Sequence, residues 1–295
     1  MTAKACIRSM RLRTLPLSLA GIALGVLLAA KGHALSWLTV TLLVLTTVCL
    51  QILSNLSNEL GDTLHGTDRS DRQGIHYSIQ DGEMTVPEMK RLIGCVAVLC
   101  CLLGAGMVWS AFGTLFAPLP VAFLLLGAAA VWAAMHYTLG KNPYGYRGLG
   151  DIFVFIFFGL ATVCGGYFLA CLEWDRMILL PAASIGCFSV AVLNVNNIRD
   201  MKSDAATRMT VAIKLGGRRA RIYQTLLISA GWVLMTVYAV LTAESWLSFL
   251  YVCTLGSFAL HLKGVWARED RALDPMLPLL VVSTFVFALL AGIGH

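Results

Sequence analysis

The residues best suited to chemistry lie in the stretch 55–72, where a long apolar run over 37–53 ends. Asn55, Asn58 and Asp62 are spaced three and four residues apart, so on a continuing helix they share one face. The stretch carries three further carboxylates, on Glu59, Asp68 and Asp71. Carboxylates at this density repel one another unless cations lie among them. Carboxylate and carboxamide oxygens are ligands that Mg²⁺ prefers, so the stretch predicts a magnesium site.

A second polar stretch over 194–204 repeats this arrangement at the end of another apolar run. Asn196, Asp200 and Asp204 are spaced four residues apart and again share one helix face. Both stretches are predicted at the C-terminal ends of helices, where the helix dipole disfavours anions. An anionic substrate at such a place needs a bridging metal ion, because the helix ends offer it no favourable charge.

Two basic linkers supply side chains that suit a phosphate. In 137–151, glycines and Pro143 break the helix and leave Tyr137 and Lys141 on a short connector. In the linker 199–221, Lys202 and Arg208 are close enough to the acidic face to contact an anion. The alternative interpretation is a pair of ordinary connectors with interfacial tyrosines and the basic bias of cytoplasmic loops.

The composition places these stretches in a membrane protein. The chain has 295 residues, of which 58% are apolar and 13% charged, and a mean hydropathy of +0.77. Nine apolar runs are each near the ~20 residues that a bilayer requires, and they are continuous rather than alternating, which favours helices over a barrel. They cover 14–30, 36–58, 91–112, 118–138, 150–171, 177–198, 220–242, 245–262 and 275–293. The predicted fold class is therefore all-α and polytopic.

The placement of charge predicts the orientation. Twenty of the 22 lysines and arginines lie in or beside the N-terminal segment and alternate linkers, and only Lys31 and Arg176 lie on the other side. This asymmetry predicts a cytoplasmic N-terminus. Thirteen of the 16 acids fall on the same side, so the chemistry is expected at the cytoplasmic mouth. Topology accounts for the net charge of +6, and no nucleic-acid partner is expected.

The two acidic helices, second and sixth in order, are four spans apart and run in the same direction. This spacing predicts a single domain over 1–295, built from two four-helix pseudo-repeats, 14–138 and 150–262, and a ninth helix, 275–293. The acidic helix ends would face each other across a central cavity that opens to the cytoplasm.

The acidic and basic motifs together resemble those of the UbiA superfamily of membrane prenyltransferases. Asn58-Glu-Leu-Gly-Asp62, followed by Asp68 and Asp71, is similar to the first aspartate-rich motif. Asp200-Met-Lys-Ser-Asp204 is similar to the second motif, D-x-x-x-D, and Tyr137-Thr-Leu-Gly-Lys141 to the family's Y-x-x-x-K. The motifs are in the family's order and the resemblance covers nearly the whole chain.

Within the superfamily, the chain is most similar to the 1,4-dihydroxy-2-naphthoate prenyltransferases of menaquinone biosynthesis. The stretches that carry this likeness are 13–17, 51–56, 143–151 and 193–200. The chain departs from the family at three places. Glu59 stands where the first motif has an aspartate, Gly66 stands where many members have a third aspartate, and Arg208 replaces a lysine in a segment one residue shorter.

The resemblance implies a Mg²⁺-dependent transferase in the inner membrane of a bacterial cell. Two Mg²⁺ ions would bind the diphosphate of a polyprenyl diphosphate and stabilise its departure. The ring of 1,4-dihydroxy-2-naphthoate would attack the allylic cation, with loss of carbon dioxide, to give demethylmenaquinone. A cavity that excludes water would protect the cation, and its wall is expected to include 153–158, Gly159, Gly165 and Gly166.

The resemblance also implies a role for individual residues. Those expected to contact metal are Asn58, Asp62, Asp68, Asp71, Asp200 and Asp204, with Glu59 secondary. Those expected to contact the diphosphate are Arg72, Lys141, Lys202 and Arg208. Asp62, Asp200, Tyr137 and Lys141 are expected to be catalytic. Arg13, Asn196 and Asn197 are the candidates for binding the aromatic acceptor.

Three alternatives stay open at this point. An ion-coupled transporter also carries acids in its membrane helices, but they should lie near the bilayer midplane. The segment Gly148-Leu-Gly-Asp151 matches the G-x-G-D of intramembrane aspartyl proteases, but the chain has no Tyr-Asp that could supply a partner aspartate. A UbiA-type enzyme with another acceptor, such as 4-hydroxybenzoate, differs only in its aromatic substrate.

Overall fold

The computed structural model describes residues 2–66 and 78–295. Within those ranges, nine helical spans are long and apolar enough to cross a bilayer, as the sequence predicts. We number their main helices α1 Leu15–Ala30, α2 Trp37–Leu64, α3 Val86–Phe112, α4 Pro118–His136, α5 Gly150–Cys171, α6 Leu179–Arg199, α7 Gly217–Thr242, α8 Leu255–Ala267 and α9 Met276–Gly294. Short helical segments precede α1, α6, α8 and α9, at Ala3–Ser9, Arg176–Ile178, Trp246–Thr254 and Asp270–Leu273.

Helix α2 continues well beyond its predicted apolar end at residue 58 and carries the first acidic motif with it. The helix ends where the N–H of His65 donates to the carbonyl of Gly61, over 3.0 Å, and Gly66 takes a φ of +67°. A left-handed φ favours glycine, which therefore suits a helix terminator here. The expectation of one continuous helix through Asn58 and Asp62 is confirmed.

Four hydrophobic clusters hold the described helices together, and the two largest show how the bundle is organised. The larger core joins α1 to α5–α9, through side chains such as Leu24, Tyr167, Phe188 and Phe287. The smaller core joins α2 to α3. Helix α1 therefore packs with the second half of the chain, and the division into two four-helix pseudo-repeats stays a prediction.

A cavity of about 440 Å³ lies between α1–α5, and Leu193 of α6 also lines it. It follows α2 from Leu43 to Asn58, a distance of about 22 Å at 1.5 Å per residue. The expected wall residues Phe153, Phe157 and Phe158 line the cavity, as do Gly165 and Gly166. The cavity is thus a long apolar chamber that ends next to the first acidic motif.

Gly159 was expected in this wall, but it belongs to a contact between α5 and α6. A Cβ atom on Gly159 would lie 2.5 Å from the Cα of Gly186, so the two backbones touch there. Gly159 lies within a π-helical segment, Phe155–Ala161. Such segments are rare overall, but those that occur are often found at functional sites. Phe157 and Phe158 of this segment line the cavity, whereas Phe155 packs against Gly186.

Candidate active site

The first acidic motif places Asn58 at the end of the cavity and Asp62 one helical turn beyond it. Asn58 lines the cavity, while Asp62 is only 4% exposed. Glu59 is one residue on from Asn58 and points elsewhere, because successive helical residues are rotated by about 100°. It is fully buried, and its Oε1 accepts a hydrogen bond from the N–H of Ile79, over 3.0 Å. Glu59 therefore anchors the chain at Ile79 in this structure.

The segment that follows α4 is packed directly on the first motif. The hydroxyl of Thr138 donates to the carbonyl of Ser57, at 3.0 Å, and to Oδ1 of Asn58, at 3.3 Å. A Cβ atom on Gly61 would lie 2.6 Å from the carbonyl oxygen of Thr138, so only a glycine fits there without displacement. The close approach brings the neighbouring Tyr137 to the same end of the cavity.

Tyr137 lines the cavity beside Asn58. Burial raises the pKa of Tyr137 to about 12, although the positive charge of Arg208 opposes the shift. Its hydroxyl group therefore stays protonated at neutral pH and adds no anionic charge to this end of the cavity. Lys141, on the same segment, is exposed.

The second motif continues almost directly from α6. The N–H of Asp204, in the short helix Met201–Asp204, donates to the carbonyl of Asp200, at 2.9 Å. Asp200 and Asp204 are each 1% exposed. The predicted spacing of four residues therefore survives the turn at the end of α6, and both carboxylates are enclosed by protein.

Arg208 joins the two motifs. Its Nη2 atom lies 2.5 Å from Oδ2 of Asp204, and its Nη1 atom lies 3.8 Å from Oδ1 of Asp62. Burial lowers the pKa of Arg208, but the two carboxylates more than offset this and hold the pKa above its usual value. The guanidinium group is thus a permanent cation between two acidic helix ends that are far apart in the sequence.

Tyr146 supports this junction, and the sequence did not single it out. Its hydroxyl group donates to Oδ1 of Asp62, at 2.7 Å, and its ring centroid lies 5.7 Å from the Arg208 guanidinium carbon, within cation–π range. Its carbonyl accepts from the N–H of Met209, at 2.9 Å. Three tyrosines in one glycine-rich connector were the available signal, but the sequence could not show which one meets Asp62.

Asp200 has a different cationic partner, Arg199. The guanidinium group donates from Nε to Oδ1 and from Nη2 to Oδ2, both at 2.7 Å. Nη2 also donates to Oδ1 of Asn196, at 2.9 Å, and Nη1 to Oδ1 of Asp274, at 2.9 Å. Sequence analysis did not assign a role to Arg199 or Asp274.

Several expected site residues are not brought to this junction. Lys202 donates to Asp270, over 2.6 Å, and its side chain is 74% exposed, so the structure does not support its expected contact with the diphosphate. It lies two residues from Asp200, on another side of the helical turn. Asp68, Asp71 and Arg72 fall outside the described residues.

The acceptor residues expected from the sequence are also placed away from the cavity. Arg13 is exposed in the turn before α1, and Asn197 is buried within α6. Among the described residues that line the cavity, neither of these nor Asn196 is present. The polar groups at this end of the cavity come from α1 and α2 instead: Ser18, Gln51, Ser54 and Asn55.

The chemistry of the donor set fits Mg²⁺, although the part of the chain that the structure describes holds no ready-made metal cage. Within 2–66 and 78–295, no three histidine, cysteine or carboxylate side chains come close enough to hold an ion. Mg²⁺ usually takes one or two carboxylates and completes its shell with waters and substrate phosphates. Asp62, Asp200 and Asp204 supply such carboxylates, and Asn58 a carboxamide oxygen.

Comparisons with known proteins agree with this geometry. The profile of the UbiA prenyltransferase family matches residues 18–291. The chain is 37% identical to the 1,4-dihydroxy-2-naphthoate octaprenyltransferase of Haemophilus influenzae, over 96% of this chain and 93% of the relative. It is also 37% identical to the Escherichia coli protein of the same name, over 99% of this chain and 94% of the relative.

Solved structures show the same fold. A UbiA homologue from Archaeoglobus fulgidus, bound to DMAPP and Mg²⁺, superposes with a TM-score of 0.70 at 15% identity, over 98% of this chain and 99% of that protein. The apo UbiA homologue from Aeropyrum pernix superposes with a TM-score of 0.71 at 16% identity, over 92% of this chain and 94% of that protein. Because the family's profile covers most of the chain and the two bacterial relatives are 37% identical to it over nearly its whole length, this chain belongs to the UbiA prenyltransferase family.

Proposed function

We propose that this protein transfers a polyprenyl group from polyprenyl diphosphate to 1,4-dihydroxy-2-naphthoate, with decarboxylation, to give demethylmenaquinol, the reduced form of demethylmenaquinone. The names of the Haemophilus influenzae and Escherichia coli relatives support the acceptor and the polyprenyl donor. The Archaeoglobus fulgidus homologue, bound to DMAPP and Mg²⁺, supports a metal-bound diphosphate. The observation that carries the proposal is the Arg208 bridge between Asp62 and Asp204, next to the end of a long apolar cavity.

The binding step follows from the two ends of this cavity. The apolar chamber along α2 takes the prenyl chain, and the polar junction beyond Asn58 takes the diphosphate. Two Mg²⁺ ions would supply positive charge to the leaving group. The residues that would hold these ions are Asn58, Asp62, Asp68, Asp71, Asp200 and Asp204. Arg208, with Lys141 and Arg72, would bind the diphosphate oxygens. The planar fork of an arginine fits these oxygens better than the point charge of a lysine does.

The reaction then proceeds in a site that water does not reach. The C–O bond between the prenyl group and the diphosphate breaks, and its electron pair leaves with the diphosphate. The electron-rich carbon of the acceptor ring forms a bond to the allylic cation, and the carboxylate of that carbon leaves as carbon dioxide. The aromatic faces of Tyr137 and Phe153 line the adjoining cavity and stabilise a passing cation without trapping it.

The test is a defined assay of the purified protein. The enzyme is incubated with an all-trans polyprenyl diphosphate and either 1,4-dihydroxy-2-naphthoate or 4-hydroxybenzoate, and the lipid products are identified by mass spectrometry. We expect a decarboxylated prenyl naphthoquinol with the first acceptor. Turnover should stop with EDTA and return with excess Mg²⁺. Prenylated 4-hydroxybenzoate as the main product would show that the acceptor is wrong, and turnover that resists EDTA would contradict the metal dependence.

We further propose that the active site faces the cytoplasm in a bacterial inner membrane. The basic excess around the two motifs supports this orientation. Each connection at the opposite end of the bundle carries a large exposed aromatic side chain, typical of a membrane interface; these are Trp37, Phe116, Trp174 and Trp246.

In a cysteine-free background, Arg147→Cys should react with an impermeant maleimide only from the cytoplasmic side and Trp174→Cys only from outside. The reverse pattern would invert the topology.

A further inference from the structure

The carboxylate of Asp200 is already occupied by a cation that the chain itself supplies. The side chain of Asp200 is fully enclosed, with 0% exposure. Arg199 donates one hydrogen bond to each of its oxygens and a third to the carboxamide oxygen of Asn196. A guanidinium fork in this position takes one lone pair on each oxygen, and its positive charge opposes a metal ion that would bind the others. Binding of Mg²⁺ to Asp200 would therefore favour a rearrangement of Arg199.

The same guanidinium group has a second acidic partner to which it can move. Its Nη1 atom donates to Oδ1 of Asp274 at 2.9 Å. Asp274 lies just before α9, and its side chain is 47% exposed, in contrast to Asp200. Arg199 can therefore release Asp200 and keep one charge-assisted hydrogen bond, at a site that solvent reaches.

We propose that Arg199 is a positioning residue that neutralises Asp200 in the metal-free enzyme and withdraws to Asp274 when Mg²⁺ binds. The inference rests on the proposed function, since it concerns the metal that the second motif would hold. Without metal, the guanidinium group supplies charge-assisted hydrogen bonds to both oxygens of an enclosed carboxylate. With metal, Arg199 and Mg²⁺ on one carboxylate would repel each other, so the transfer to Asp274 relieves the repulsion.

This exchange predicts effects of opposite sign for two residues that contact each other. Arg199→Gln removes a cation that competes with the metal, so metal binding should become tighter, by about fivefold or more. Asp274→Asn removes the alternative partner of Arg199, so metal binding should become weaker by a similar factor. The double variant should bind like Arg199→Gln, because Asp274 acts through Arg199. A purely structural role would change both single variants in the same direction.

The readout is binding rather than turnover. Free and bound Mn²⁺ are measured by electron paramagnetic resonance on the full-length protein in detergent, with and without a non-hydrolysable prenyl diphosphate. The melting temperature is followed in parallel as Mg²⁺ is added. Arg199→Gln should melt at a lower temperature than the wild type without metal and should gain more stability from Mg²⁺.

Asp270→Asn is the matched control. Asp270 lies in the same linker as Asp274 and pairs with the exposed Lys202 instead of Arg199. Its φ of +49° suits asparagine as well as aspartate. The variant should therefore leave metal binding unchanged although it removes the same charge from the same linker.

The outcomes separate this inference from the proposed function. Wild-type protein that binds no Mn²⁺ with the diphosphate analogue would refute the metal-dependent function. Normal wild-type binding, with Arg199→Gln and Asp274→Asn shifted in the same direction or not at all, would overturn the exchange alone. If Arg199→Gln does not fold, Asp274→Asn decides the matter, because unchanged or tighter binding in that variant contradicts a transfer to Asp274.

Discussion

Replacing Asp62 by asparagine is expected to abolish prenyl transfer while the protein still folds and inserts. Asparagine keeps the size of the side chain and an oxygen that can accept from Tyr146. It removes the charge that faces Arg208 and that would bind metal. Loss of one preorganised electrostatic partner of the developing charge costs about 10²–10³-fold in rate, and loss of a metal ligand should cost at least as much. The measurement is turnover at saturating prenyl diphosphate across a range of Mg²⁺ concentrations.

The matched control for this substitution is Asp175→Asn. Asp175 caps the turn before α6 by accepting from the N–H of Met177, at 2.8 Å, and asparagine caps helices equally well. The turn lies at the opposite end of α6 from the second motif. Its turnover should equal that of the wild type. If Asp62→Asn keeps wild-type turnover and an unchanged Mg²⁺ requirement, Asp62 is not part of the catalytic centre.

The membrane helices and the position of the first motif could be predicted because both depend on local patterns. Continuous apolar runs fix the spans, since a bilayer accepts few other structures. The spacing of Asn58 and Asp62 placed them on one face of a helix that had not yet ended, and α2 indeed continues to Leu64. Asp200 and Asp204 keep the same four-residue spacing, but their enclosed setting could not be inferred from it.

The partners of these carboxylates could not be predicted, because they depend on tertiary structure. Tyr146 lies 84 residues from Asp62, and Asp274 lies 75 residues from Arg199. No spacing rule connects positions so far apart. The basic residues in and after the second motif look alike in the sequence, yet Arg208 turns inward, whereas Lys202 turns outward to Asp270. A difference of six residues in a segment of short helices and turns decides which of them meets the acidic motifs.

The acceptor residues show a different limit of sequence analysis. Asn196 and Asn197 adjoin the second motif, which made them natural candidates for the aromatic substrate. The structure uses the carboxamide oxygen of Asn196 as an acceptor for Arg199, and α6 contributes Leu193 to the cavity wall. The assignment of Asn196 and Asn197 to the acceptor therefore stays a prediction, because proximity in sequence to a metal motif does not show which side chains line the cavity.

Replacing Arg208 by glutamine is expected to damage both stability and catalysis, in ways that can be told apart. The Arg208 side chain is 8% exposed and lies between two buried carboxylates. Removing the cation leaves Asp62 and Asp204 without their shared counter-charge, and loss of one partner of a buried ion pair costs about 3–5 kcal/mol. The melting temperature without metal should fall clearly. Mg²⁺ with a prenyl diphosphate analogue should restore part of this stability, because metal ions neutralise the same carboxylates, whereas turnover should stay low.

Arg208→Lys and Arg218→Gln make this prediction specific. Lysine keeps the charge but lacks the planar fork that reaches two groups at once, so Arg208→Lys should recover more stability than activity. Arg218 is exposed at the start of α7, and Arg218→Gln removes the same charge near the same linker, so its melting temperature and turnover should match those of the wild type. If Arg208→Gln is as stable as Arg218→Gln without metal, the guanidinium group does not neutralise the two motifs. If it is destabilised and Mg²⁺ with the analogue restores both stability and full turnover, Arg208 balances the carboxylates but does not bind the diphosphate.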